Sequence, residues 1–197
     1  NRYLVLGLLM LAVWMGKGAT AFALTPMAQV KEIIERVRVI GESARGGGER
    51  ARQKEMVREV LLPIFDFQEM ARMSLGSHWN RQAERQREFV AVFTGFIENA
   101  YTSQIESLRG AEVIYVRERV EGSLAQVDTR FVPAQGDGIP IQYRLRLVGN
   151  EWKIYDVLIE NVSLVDNYRS QFSRILSSAT FDDLLKKLQE KTAPKGG

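Results

Sequence analysis

Apolar residues recur at helical spacing near both ends of the chain. Between Pro26 and Ser43 one stripe contains Val30, Ile33, Ile34, Val37 and Ile40. Intervals of three and four residues bring such positions to one face of an α-helix, which can then pack on a core. Similar stripes predict helices at about 49–62, 83–108 and 164–177, a short helix after Asp66 and a last one after Thr180.

The middle of the chain changes to a period of two, which predicts β-strands at 112–119, 125–132, 139–148 and 152–159. Along the third strand one face holds Ile139, Ile141, Tyr143, Leu145 and Leu147, whereas Gln142, Arg144 and Arg146 lie opposite. This alternation predicts an antiparallel sheet that is covered on one side. Short turns between neighbouring strands predict a meander, and a shift of parity between Ile154 and Tyr155 predicts a bulge that bends the sheet.

The order of elements along the chain is helices, a β-meander and further helices. This order predicts an α+β fold with about four strands in a curved antiparallel sheet. The N- and C-terminal helices are expected on its concave face, as in an NTF2-like cone. Capping residues support three of the helix starts: Thr25 before Pro26, Asp66 with Glu69 three residues on, and Thr180 before two aspartates.

The first 23 residues have the layout of a secretory signal peptide. A 13-residue apolar run from Tyr3 to Met15 follows Arg2 and leads to the A-x-A site Ala21-Phe22-Ala23. The alternative is an uncleaved N-terminal anchor, but the run is short for a membrane span. We therefore predict a cleaved leader at 1–23, a periplasmic protein with a single domain at 24–192, and a disordered tail at 193–197.

The amino-acid composition narrows the range of partners and cofactors that the protein could use. Without Arg2 and Lys17 of the leader, 25 basic residues face 24 acidic ones, a balance that argues against nucleic acid as a partner. The absence of cysteine excludes disulfides and thiolate chemistry, and a lone histidine, His78, cannot build a zinc site. No dinucleotide or phosphate-binding glycine loop is present. We expect no cofactor, no metal and no nucleic acid.

Two residues leave an enzymatic alternative open. Asp156, at the parity shift of the last strand, could be a buried general base, as in cone-shaped isomerases, and His78 could serve a nucleophile. Structural roles fit both better: an aromatic follows His78 directly, and Asp156 is expected to pair with an arginine, with Arg169 as the plausible partner. A third possibility is an interaction module with a solid core.

Two motifs go beyond fold class. Residues 65–79 read F-D-F-x-x-M-A-R-x-x-L-G-x-x-W, and residues 152–172 read W-K-x-Y-D-V-x-I-E-x-V-S-L-V-x-N-Y-R-x-Q-F. Together they resemble the toluene-tolerance family, which includes the periplasmic phospholipid carriers of the Mla pathway. The likeness runs from about Thr25 to Lys191. It departs at Asn161, where the family pattern often has glycine, and we expect this change to affect a turn and not the pocket.

The resemblance implies a monomeric carrier that holds phospholipid tails in an apolar pocket and performs no chemistry. Its implied partners are an inner-membrane ABC transporter with a substrate-binding domain and an outer-membrane lipoprotein complex. A hopanoid-associated branch of the family leaves the lipid class open. From the facing pattern alone, the residues predicted to line the pocket are Phe93, Ile97, Tyr101, Val127, Phe131, Ile141, Tyr143, Ile154, Val157 and Ile159.

Overall fold

The computed structural model describes residues 24–43, 49–107 and 110–192. Within those residues the helices are α1 (Pro26–Ser43), α2 (Glu49–Leu61), α3 (Phe67–Leu75), α4 (Gln86–Ser107), α5 (Leu164–Leu176) and α6 (Phe181–Thr192). The strands are β1 (Glu112–Glu121), β2 (Leu124–Val132), β3 (Ile139–Val148), β4 (Glu151–Ile159) and β5 (Val162–Ser163). The predicted leader at 1–23, the glycine run at 46–48 and the tail at 193–197 lie outside the described residues.

The sheet is an antiparallel meander in the order β1-β2-β3-β4-β5, which confirms the α+β prediction. Five strands in the described chain replace the predicted four or so, because β5 has two residues and is too short to show an alternating pattern. It follows a tight turn in which Glu160 and Asn161 have positive φ angles of 51° and 66°. Asn161 therefore lies in a turn, as expected, at a backbone conformation that glycine adopts easily.

The predicted bulge in β4 is present. Arg144 pairs with Asp156 and Leu145 with Ile154, so Tyr155 is an extra residue opposite β3. A second bulge in β1 inserts Val116 between two paired residues. Bulges increase local twist and bend a sheet, which gives this sheet its concave face.

Side chains cap three helices as the sequence predicts. Thr25 Oγ1 accepts a hydrogen bond from Ala28 N (3.1 Å), and Asp66 Oδ1 accepts one from Glu69 N (3.0 Å). Thr180 and Asp183 exchange bonds at the start of α6, where Asp183 N donates to Thr180 Oγ1 and Thr180 N donates to Asp183 Oδ2. These bonds satisfy amides that would otherwise lack a partner.

The long helix α4 begins three residues later than predicted. A short 3₁₀ segment, Asn80–Arg85, precedes it, and Gln82 inside this segment leaves helical geometry (φ −111°, ψ 34°). Trp79 O accepts hydrogen bonds from both Gln82 N and Gln86 Nε2, so the chain turns here before α4 starts.

The described residues form two large apolar cores and a smaller apolar cluster between α1 and α2. Helices α3 to α6 enclose an aromatic cluster in which Phe89 and Phe93 stack (centroids 5.7 Å apart) and Phe172 meets both edge-on. Helix α1 packs instead on the sheet, where Val30 and Ile33 join a cluster that contains Val127, Leu145, Trp152 and Ile154. Among the described residues, no helix is long and apolar enough to cross a membrane.

The segment between α2 and α3 joins the two parts. Phe65 forms a parallel bridge with Ile154, and Asp66 N donates to Ile154 O (2.8 Å). The carboxylate of Asp66 also accepts a bond from Arg146 Nε (2.6 Å) on β3. The start of α3 is thereby fixed to the sheet.

Candidate ligand-binding cavity

A cavity of about 290 Å³ lies between the concave face of the sheet and the helices. Its volume is close to the lower end of the roughly 300–1,000 Å³ typical of ligand pockets. The sheet side is lined by Val113, Phe131, Ile141, Tyr143, Ile154, Val157 and Ile159. The helical side and the α2–α3 connection contribute Val30, Ile33, Ile34, Val37, Val57, Leu61, Leu62, Phe65, Phe67, Met70, Ile97 and Leu164.

The bulge at Tyr155 makes this wall continuous. Ile154 and Val157 are three positions apart in the sequence and would face opposite sides of a regular strand. Because the bulge adds one residue, Ile154 pairs with Leu145 and Val157 with Tyr143, both on the concave face. The same sequence without the bulge would turn one half of β4 away from the cavity.

Seven of the ten residues predicted from the sequence line the cavity: Ile97, Phe131, Ile141, Tyr143, Ile154, Val157 and Ile159. Phe93 and Val127, which we expected beside them, lie elsewhere. Phe93 is fully buried in the aromatic cluster of α3 to α6, and Val127 is fully buried under α1. Tyr101 belongs to α4, but its side chain is outside the described residues. Contact of any of these residues with a ligand stays a prediction.

The prediction missed the contribution of α1, α2 and the connection to α3. The apolar stripe of α1 was visible in the sequence, but a stripe that packs on a core and one that borders a cavity have the same spacing. Phe65 and Phe67 stand in the first motif, so the motif itself was the available signal for this part of the wall.

Tyr143 places a polar group on an otherwise apolar wall. Burial raises the pKa of its phenol well above the ordinary value, while the neighbouring Thr129 hydroxyl acts in the opposite direction. The phenol therefore stays neutral at physiological pH. The deep part of the cavity carries no charge from this residue.

The charged and polar side chains in the described lining of α1, α2 and α4 are Arg38, Gln53, Glu55, Arg58 and Glu98. Arg58 Nη1 lies 3.3 Å from Glu55 Oε1, and its Nε lies 3.1 Å from Glu98 Oε2. These carboxylates, Glu98 first, raise the pKa of Arg58. Gln53 is buried and donates to Ile40 O and Gly41 O at 3.0 and 3.1 Å.

The two residues considered as catalytic bases do not line the cavity. Asp156 is fully buried at the junction of β4 and α5, where it accepts bonds from Ser163 Oγ (2.7 Å), Val165 N (3.2 Å) and Arg144 Nη1 (3.2 Å). Its expected pairing with Arg169 is wrong. Arg144 lies directly across the strand pair, whereas Arg169 pairs with Asp166 on its own helix at 2.7 Å.

His78 is the last residue of a short 3₁₀ turn, Gly76–His78, which follows α3 in the chain. In the part of the chain that the structure describes, no group of three or more histidine, aspartate or glutamate side chains could hold a metal ion. The cavity lining is mostly apolar, and its charged residues in the described chain belong to α1, α2 and α4.

Comparison with known proteins agrees with this geometry. The family model described as MlaC protein matches residues 30–190. The chain is 25% identical over 146 residues to the intermembrane phospholipid transport system binding protein MlaC of Haemophilus influenzae, covering 71% of this chain and 68% of that protein. In fold it is similar to a phospholipid-binding protein from Ralstonia solanacearum solved with a phospholipid, with a TM-score of 0.74, 22% identity, and coverage of 85% of this chain and 96% of that one.

Proposed function

The chain belongs to the MlaC protein family, and from that membership and its cavity we propose that it binds phospholipid and carries it between membranes. The observation that carries the proposal is the largely apolar lining around about 290 Å³, whose charged members among the described residues all come from helices. Acyl tails suit this apolar lining, because hydrocarbon gains free energy when apolar side chains shield it from water. The relative from H. influenzae is named for the same role in intermembrane transport.

The energetics suit a carrier. Burial of hydrocarbon is worth about 0.8 kcal/mol per CH₂, so a 16-carbon tail gains about 12 kcal/mol relative to water. The tail, however, leaves a membrane and not water, so transfer into an apolar cavity is close to balanced. Small changes on docking can therefore load or release the lipid.

We further propose that the protein works in the periplasm as a monomer after removal of residues 1–23. Its partners would be an inner-membrane ABC transporter with a substrate-binding domain and an outer-membrane lipoprotein complex, since a lipid shuttle needs a donor and an acceptor. We propose no covalent chemistry, because Asp156 and His78 both lie away from the cavity lining. Phe131, Ile141 and Val157 are proposed to contact the tails.

Native mass spectrometry of the exported protein, purified without detergent, tests the proposal. We expect a stoichiometric adduct of phospholipid mass, identified by lipid analysis of an organic extract. A hopanoid-like adduct would keep the carrier function and change the cargo. A lipid-free mass with no uptake from liposomes would contradict it.

A matched pair of variants tests whether the lipid binds in the cavity. Val157→Trp fills space at the lining, while Val148→Trp adds the same volume at an exposed position (42%) near the β3–β4 turn. We expect the first to lower lipid occupancy and the second to leave it unchanged, with folding checked by circular dichroism. Val37→Trp, on the α1 wall, gives an independent test if Val157→Trp does not fold. Full occupancy in both wall variants would place the lipid elsewhere.

A further inference from the structure

The face of the sheet that points away from the cavity is rich in arginine. The cavity is lined from the opposite face, by residues such as Phe131 and Tyr143. The outward positions of β1, β2 and β3 hold five arginines and no lysine: Arg117, Arg119, Arg130, Arg144 and Arg146. We call these five residues the arginine face. The carboxylates on the same side of these three strands are Asp128 and, at the two ends of β1, Glu112 and Glu121.

The ion pairs of the arginine face leave the guanidinium groups, and not the carboxylates, in contact with solvent. The exposed fractions of arginine and carboxylate are 49% and 12% in Arg117–Asp128, 37% and 1% in Arg144–Asp156, and 38% and 10% in Arg146–Asp66. Each carboxylate lies beneath its arginine and fixes it in place. A ligand that approaches from solvent therefore meets positive charge first.

Arg119 and Arg130 add positive charge that no described carboxylate neutralises. Both side chains are exposed. Arg119 takes part in no ion pair with a described residue, and Arg130 donates to a carbonyl, Gly138 O, at 3.3 Å. Arg144 donates to Asp156 from Nη1, one of the five N–H groups of a guanidinium. The arginine face can therefore bind an anion without breaking an existing ion pair.

Phosphate is the anion that suits this array. A guanidinium binds two phosphate oxygens at once, which lysine cannot do. Arginines two residues apart on one strand are separated by about 6.7 Å, and β1 and β3 by about 9.6 Å, so the array can contact several phosphates together.

The shape of the arginine face favours a lipid surface over a folded partner. It is the convex side of a sheet that two bulges bend. A fluid layer of head groups can follow a convex surface, whereas a folded partner needs a matching concave one. Ile114, 44% exposed and paired with Arg130, adds an aliphatic side chain of the kind that enters the boundary between head groups and acyl chains.

We propose that the arginine face docks the protein on a membrane surface that contains anionic phospholipids. The attraction is local, because the chain outside the leader has 25 basic and 24 acidic residues. This inference goes beyond the proposed carrier function, since docking and lipid binding use opposite faces of the sheet. The protein can thus stay at a membrane while its cavity remains accessible to a donor or acceptor.

Sedimentation with vesicles tests the proposal. The full exported protein, with its own lipid bound, is mixed with sucrose-loaded vesicles of phosphatidylcholine alone or of phosphatidylcholine with phosphatidylglycerol, at low and at high salt. We expect binding to the anionic vesicles only, and its loss at high salt, because salt screens exposed charges. In the double variant Arg119→Gln/Arg130→Gln the partition coefficient should fall about tenfold to thirtyfold, because each arginine near an anionic surface contributes about fivefold.

The double variant Arg36→Gln/Arg174→Gln is the matched control, because it removes the same charge from exposed positions on α1 and α5. It should bind like the wild type. Arg119→Glu, a single change at an exposed position, should also weaken binding and serves if the first double variant does not fold.

Equal binding to both kinds of vesicle, or an equal loss in the control, would overturn the proposal. Absence of binding to either vesicle would also overturn it and would favour an acidic protein as the occupant of the arginine face. Native mass spectrometry of the same samples reports the lipid in the cavity, so the carrier function is tested separately from docking.

Discussion

Asp156 is a buried carboxylate with a structural task. It accepts bonds from a side-chain hydroxyl, a backbone amide and a guanidinium, and so joins β4, β3 and the first turn of α5. The Val165 amide that it binds belongs to the start of α5, where a negative charge also stabilises the helix. Sequence reasoning found the residue and its structural role but chose the wrong arginine.

We predict that Asp156→Asn lowers the free energy of unfolding by about 2–3 kcal/mol, because charge-assisted bonds in a buried site weaken or lose geometry. Urea denaturation measures the change. Asp166→Asn is the control, since Asp166 is half exposed and its ion pair with Arg169 is a surface one; it should cost less than about 1 kcal/mol. Equal losses in both variants would contradict a special role for Asp156.

At the scale of elements, α1 and α2 form a pair that closes one side of the cavity. Ile40, Val57 and Val60 pack between them, and Gln53 of α2 donates to two carbonyls near the C-terminal end of α1. Helix C-termini leave carbonyls without intrahelical partners. Gln53 therefore both joins the two helices and lines the cavity.

We predict that Gln53→Met lowers the free energy of unfolding by about 1–3 kcal/mol, because it keeps the shape of the side chain but removes the two hydrogen bonds that the buried amide donates to α1. Gln68→Met, at an exposed position on α3, should change stability by less than about 0.5 kcal/mol. Thermal or urea unfolding of the two variants checks this. No difference between them would mean that water replaces the Gln53 amide.

The elements were predictable from the sequence to different degrees. Alternation and parity gave the four long strands and the bulge at Tyr155, because a period of two and its interruption are local properties. Whether a residue lies in the core or at the cavity is not a local property. Val127 and Tyr143 are paired on the same face of the sheet, yet α1 covers Val127, whereas Tyr143 borders the cavity. Only the placement of α1 and α2 decides which one a ligand can reach.

In the whole molecule, the separation of the two large cores predicts which helices a bound lipid stabilises most. Helices α1 and α2 border the cavity along much of their apolar surface, whereas α6 packs against α4 and α5 through Phe181, Leu184, Leu185 and Leu188. None of these four α6 residues lines the cavity. A ligand bound only to the folded state adds RT ln(1 + [L]/Kd) to stability, which is about 2.7 kcal/mol at a hundredfold excess over Kd.

Lipid loading should therefore raise amide-exchange protection unevenly. Comparing lipid-free with lipid-loaded protein, we expect the largest gain in α1 and α2, whose apolar side chains acquire a packing partner, and a smaller gain in α6, which changes only with global stability. Hydrogen–deuterium exchange measured by mass spectrometry resolves the three helices. Val157→Trp, incubated with the same lipid, should show little gain in either region. A gain that is equal in α1, α2 and α6 would mean that the two cores unfold as one unit, and that the cavity wall is as rigid without lipid as with it.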